Sequence, residues 1–194
     1  MTKRKKRSWK DKLIPNLLSA AFVFFVVWAF IAVFTNPDLI FDRFLSAGMI
    51  VILYILYKKL GLRLGVILFG FFALLLHHLK LYGNFYYGIP FDRIMHLVAG
   101  IALALVIYNA LETSDIPRPA LVIISIFMAA GVASTMEIIE FIGYANLGSG
   151  EGLLFYGKGD FGEYNNVSWD LINNTLGAVI GSVYLFLWSR HEKK

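Results

Sequence analysis

Six apolar runs dominate this sequence, each close to the roughly 20 helical residues that cross a hydrocarbon core of about 30 Å. They cover residues 13–34, 39–57, 61–79, 91–111, 119–142 and 167–189. With 58% of the 194 residues hydrophobic and only 16% charged, too few polar residues remain to solubilise a globule of this size. A soluble enzyme, a disordered chain and a nucleic-acid module are all excluded on that ground. The runs do not alternate polar and apolar residues, and a membrane barrel needs at least about eight strands. The expected fold is therefore all-α, an integral membrane bundle of six transmembrane helices. The first run exceeds the ~7–15 residues of a signal-peptide core and is expected to be a retained anchor. Residues 1–12 then form a cytoplasmic polybasic tail, 13–189 a single transmembrane domain and 190–194 a second cytoplasmic tail. With no cysteine, the chain has no disulfide, thiolate metal site, Fe–S cluster or Cys nucleophile.

The distribution of cations predicts orientation, because Lys and Arg accumulate in cytoplasmic loops. Of 18 Lys and Arg residues, 14 fall in the N-terminal tail, the second and fourth loops and the C-terminus; Arg43, Lys80, Arg93 and Lys158 fall on the other side. Both termini are thus expected in the cytoplasm of a multi-pass protein of the cell membrane. The basic residues are juxtamembrane and not interleaved with stacking aromatics, which fits anionic lipid headgroups and not nucleic acid.

Ionisable groups inside spans are costly, and by default suggest a functional site. Here they gather at the external ends of four helices. His77 and His78 close the third span, Asp92 and His96 open the fourth, Glu137 and Glu140 lie near the end of the fifth, and Asp170 and Asn174 open the sixth. Spacings of three or four residues put each of the last three pairs on one helix face. A rise of about 5.4 Å per turn places Asp92, Glu140 and Asp170 in a shallow layer and His96, Glu137 and Asn174 in a deeper one. Below them Gly100, Gly177 and Gly181 would let neighbouring helices approach closely. "YYGIPFDRIMH" (86–96) also aligns without gaps on "YNNVSWDLINN" (164–174), pairing Asp92 with Asp170 and His96 with Asn174. This suggests that helices 3–4 and 5–6 form a parallel hairpin repeat.

Ordinary roles compete at several positions. Asp92 and Asp170 in a first helical turn, with Ser168 as N-cap, would complement the macrodipole, and His77 and His78 suit a helix C-terminus. Glu137 and Glu140 are harder to explain this way, since a helix C-terminus disfavours carboxylates and the two repel each other. A shared proton, Arg93, a histidine or a bound cation would have to offset them.

Asp, Glu, His and Asn together suit a divalent metal such as zinc, manganese or magnesium. The candidate ligands are His96, Glu137, Glu140, Asp170, Asp92 and His78. Without metal, His96 would serve as general base beside a carboxylate, so His96, Glu137, Glu140, Asp92 and Asp170 are also the catalytic candidates. Asn174, Asn173 and Arg93 are the candidates for substrate contact. No H-E-x-x-H or Glu-x-x-His metal motif occurs, Ser134 lacks a G-x-S-x-G setting, and phosphate-loop and dinucleotide signatures are absent. The glycine-rich segment 143–166, carrying Phe155, Tyr156, Phe161 and Tyr164, is long enough to serve as a lid.

At "DRIMH", "EIIE" and "WDLINNTLGAVIG" the chain resembles the VanZ-like superfamily of small polytopic membrane proteins. With "LHHLKLYGNFYYGIPFDRIMH" added, it is most similar to the YjdF-type family of uncharacterised prokaryotic membrane proteins, over roughly residues 70–185. It departs from the VanZ pattern in having Glu140 where Gln is common and in lacking an Arg in the preceding outer loop. The resemblance implies no defined activity. The leading expectation is an outward-facing Asp/His/Glu/Asn cavity, metal-binding, that binds or processes a lipid-like or cell-envelope amphiphile. A proton- or ion-coupled transporter and a structural, partner-binding membrane protein are the alternatives.

Overall fold

The computed structural model describes residues 10–81, 84–148, 150, 152–154 and 163–191. Most of the polybasic tail and the lid aromatics Phe155, Tyr156 and Phe161 lie outside them. Among the described residues there are six α-helices: α1 (Lys10–Thr35), α2 (Ile40–Leu60), α3 (Leu64–His77), α4 (Phe91–Leu111), α5 (Arg118–Leu147) and α6 (Glu163–His191). Five segments are long and apolar enough to span a membrane. The third expected span is shorter than the sequence suggested. Its helix has 14 residues, about 21 Å of rise, because the chain turns at Gly61 and leaves helical geometry after His77.

α3 nevertheless makes polar contacts with its neighbours at both of its ends. At its start the Arg63 amide donates to Asn109 Oδ1 at 2.8 Å and the Arg63 guanidinium pairs with Glu112 at 3.0 Å, both at the end of α4. At its finish His77 meets Asp42, in the first turn of α2. α3 is therefore antiparallel to both helices.

The apolar residues pack in three groups, one of them formed by Ala104 of α4, Ala129 of α5 and Ala178 of α6. Ile14, Leu18 and Phe25 of α1 meet Ala47, Ile50 and Leu53 of α2 and Ile67 of α3. Leu105 and Tyr108 of α4 meet Leu121 of α5 and Leu185 of α6. Between α4 and α6 the backbones themselves touch. A Cβ on Gly100 would lie 2.2 Å from the Asn174 carbonyl oxygen, and one on Gly177 would lie 2.2 Å from that of Leu97. These two helices are parallel, with 96 beside 174 and 100 beside 177, close to the 78-residue offset of the sequence repeat.

The local structures of the repeat differ before Phe91 and Trp169. Residues 85–90 form a hairpin of β1 (Phe85–Tyr86) and β2 (Ile89–Pro90), turned by Tyr87 and Gly88 at φ 53° and 80°. Positive φ at both central residues is what a two-residue type I′ turn requires. Residues 164–168 are instead helical, so Ser168 lies inside α6 and is not its N-cap, and Asp170 stands two turns in. α5 also continues to Leu147, which puts Glu140 about two turns from its end. Macrodipole effects fade within one turn, so neither carboxylate is governed by a helix terminus.

Candidate functional site

α4, α5 and α6 bring six of the sequence-selected residues to one end of the bundle. His96 is at the centre. Its Nε2 lies 3.4 Å from Asp92 Oδ1 and 3.5 Å from Asp170 Oδ1. Its Nδ1 lies 2.9 Å from Asn174 Nδ2 and 3.5 Å from Glu137 Oε1. The imidazole thus bridges the two layers, with the shallow carboxylates on one nitrogen and the deeper Asn174 and Glu137 on the other. The Asn174 amide and the imidazole Nδ1 are within hydrogen-bond distance, the direction of the bond following the ring's tautomer.

The carboxylates are poorly compensated. Asp170 is 1% exposed, yet neither of its oxygens accepts a hydrogen bond among the described residues, and Glu137 Oε1 is in the same position. Buried polar atoms are almost always partnered, so such atoms call for an explanation. One ligand atom from each of Asp92, His96 and Asp170 falls within 4.8 Å of the others, a spacing suited to a shared cation. Glu140 is half-buried and lines the same cavity.

Other selected residues serve local roles. The Asn173 amide donates to the Trp169 carbonyl at 2.7 Å, and the Ser134 hydroxyl to that of Ala130 at 2.9 Å, each within its own helix. The Arg93 guanidinium lies over the Trp169 ring at 4.2 Å, at the cavity wall. His78 is not in the Asp92–His96–Asp170 group. Its Nε2 is 2.9 Å from Ser46 Oγ, and its ring packs between Phe25 and Trp28.

A second polar cluster escaped the reading of the sequence. Asp42 is 1% exposed; its Oδ2 is 3.2 Å from His77 Nε2 and is paired with the Lys80 ammonium, and its Oδ1 accepts the Leu153 amide at 2.8 Å. Next to it, the Arg43 guanidinium lies over Trp28 at 4.5 Å and donates to that residue's carbonyl at 2.8 Å. The repeated tripeptide Phe-Asp-Arg at 41–43 and 91–93 was the available signal. In both copies the Asp meets a histidine and the Arg stacks on a tryptophan. They differ in one respect: Asp42 has the Lys80 ammonium beside it, whereas among the described residues Asp92 and Asp170 share His96 alone as an ion-pair partner.

The two clusters lie at the polar end of a cavity of about 910 Å³. Asp92, His96, Glu137, Glu140, Asp170 and Asn174 line one side of it and His77 and Lys80 another. Deeper, its wall is apolar: Met49, Leu53 and Leu56 of α2, Ala102, Val106 and Ile107 of α4, and Val132 and Met136 of α5.

Membrane-length helices around a buried polar cluster define a multi-pass helical membrane protein. The chain belongs to the DUF2238 family of predicted membrane proteins, whose family model matches residues 14–191. No curated protein and no solved structure matches the chain.

Proposed function

We propose that this protein binds a divalent cation between Asp92, His96 and Asp170 and uses that site to hold the polar head of a lipid-like amphiphile. The observation that carries the reading is Asp170, buried with both carboxylate oxygens unbonded, next to Asp92 and facing His96. The Asp42 cluster supports it by contrast, since there a lysine pairs with the carboxylate, whereas among the described residues the ion-pair partner of Asp92 and Asp170 is His96. Zinc, manganese and magnesium all accept carboxylate oxygen, and imidazole favours zinc among them. Glu137 would then sit behind His96 and accept Nδ1–H, as carboxylates commonly do for metal-bound histidines.

All six helices cross the membrane in this proposal, both termini are cytoplasmic and the polar end faces outward. The antiparallel course of α3 and the 14 of 18 cations on one side support that topology. The likeness to VanZ-like and YjdF-type proteins at "DRIMH" and "WDLINNTLGAVIG" adds the cell envelope as the setting. A proton-coupled carrier would use the same carboxylates, but the apolar wall below His96 favours a hydrocarbon chain over an ion path. A purely structural cluster would need a proton shared between Asp170 and Asp92 to satisfy the Asp170 oxygens, and would take up no metal.

The test is elemental analysis and calorimetric titration of the purified full chain with zinc, manganese and magnesium. The expected result is about one bound ion per chain, lost in Asp170→Asn and His96→Ala variants that still assemble as monodisperse protein. Wild-type protein that takes up none of the three ions overturns the proposal.

A further inference from the structure

The cavity differs sharply between its polar end and its flank. At the polar end residues 152–154 pass from α2 to α5 as a strap. The Leu153 amide is held by Asp42 of α2, and the backbone of Leu154 lies so close to α5 that a Cβ on Gly143 would be 2.5 Å from its carbonyl oxygen. Gly150, Gly152 and Leu153 thereby form part of the cavity wall next to the carboxylates.

Along the flank no such closure is present among the described residues. α2 packs mainly on α1, touches α3 and α4 only slightly, and has no extended contact with α5 among the described residues. Both α2 and α5 line the cavity, and some of the residues that do so also face outward from the bundle. Ile52 of α2 is 55% exposed and Val132 of α5 is 40% exposed. Between these helices the cavity therefore meets the bundle's lipid-facing surface. From Asp92 to Ile107 the lining follows α4 for about 22 Å, longer than one leaflet of a hydrocarbon core roughly 30 Å thick.

We infer that the gap between α2 and α5 is a lateral portal, through which one hydrocarbon chain of a bilayer lipid enters the apolar part of the cavity while its headgroup stays at the Asp92–His96–Asp170 end. This rests on the amphiphile reading above and adds the chain-bearing class of ligand and its route from the membrane. The physical case is continuity: an apolar chain moves from lipid to apolar protein wall without crossing water, and the carboxylates lie where its polar end must stop.

The experiment uses the full chain in nanodiscs containing a phospholipid with a diazirine near the methyl end of one acyl chain. On irradiation, adducts are expected on the inner residues Leu56, Val106 and Ile107. The Ile52→Trp/Val132→Trp variant should reduce them at least fivefold while leaving adducts on the outward-facing Phe127 unchanged. Because two tryptophans can impair assembly, the Ile52→Cys/Val132→Cys variant provides a second arm. The chain has no other cysteine, so a bulky hydrophobic maleimide attached after folding blocks the same gap. Inner adducts that persist undiminished in both arms overturn the lateral route and leave the amphiphile reading standing. Wild-type adducts confined to outward faces such as Phe30 and Phe127 overturn that reading as well.

Discussion

The side chains of His96 and Asn174 meet at 2.9 Å, from helices α4 and α6 that are separated by 78 residues in sequence. The contact depends on the glycines beneath it, because Gly100 and Gly177 let the two backbones approach until no Cβ would fit. The polar site is thus mounted on a glycine-lined helix pair.

Gly177→Ala is expected to push α4 and α6 apart and to destabilise the protein by about 1–3 kcal/mol, the usual cost of overpacking. Gly131→Ala, at a glycine with open space around it, should be neutral or nearly so. Thermal unfolding of both variants in the same detergent checks the contrast; equal midpoints would show that the close approach is not required.

Glu137→Gln should weaken binding of the preferred ion about 10–100-fold, because it removes the carboxylate that can accept Nδ1–H from a metal-bound His96. Asn173→Ala should leave that affinity unchanged, since the Asn173 amide is engaged with the Trp169 carbonyl of its own helix. Calorimetric titration of the two variants separates the roles.

Affinity for the ion should rise with pH. Carboxylates and imidazole must give up protons to act as ligands, so binding releases protons and acid competes with the metal. Titrations at a series of pH values in two buffers of different ionisation enthalpy would report that release. An affinity independent of pH would remove Asp92, His96 and Asp170 as the ligands.

Asp42→Ala should destabilise the protein by about 3 kcal/mol or more, the scale for removing one partner of a buried ion pair. It strands the Lys80 ammonium and also leaves the Leu153 amide without its acceptor. Lys80→Met should cost less, because the Lys80 side chain is 20% exposed and His77 still faces Asp42. Unfolding midpoints, together with protease sensitivity of the segment around Leu153, test both effects.

Hydrophobic run lengths were enough to give the helices, since a 20-residue apolar segment with few charges has few other structures open to it. Residue spacing gave the two layers around His96, because 3.6 residues per turn puts positions 92 and 96, 137 and 140, and 170 and 174 on shared faces. Helix ends were less legible. Ser168 and Asp170 read as a cap and first turn, but α6 starts at Glu163 because the polar residues before Ser168 also join the helix.

The sequence by itself determined that the chain is a membrane helical bundle and that most of its scarce acids and histidines fall toward one end of it. Period and length are local properties, carried by the residues of each segment. Only the tertiary structure decided which histidine joins which acid: His96 faces Asp92 and Asp170, His77 faces Asp42, and adjacent His78 turns instead to Ser46 and two aromatic rings. Apart from Asp92, which shares α4 with His96, those partners come from helices far apart in the chain, and their meeting depends on how closely the backbones pack, which no local pattern encodes.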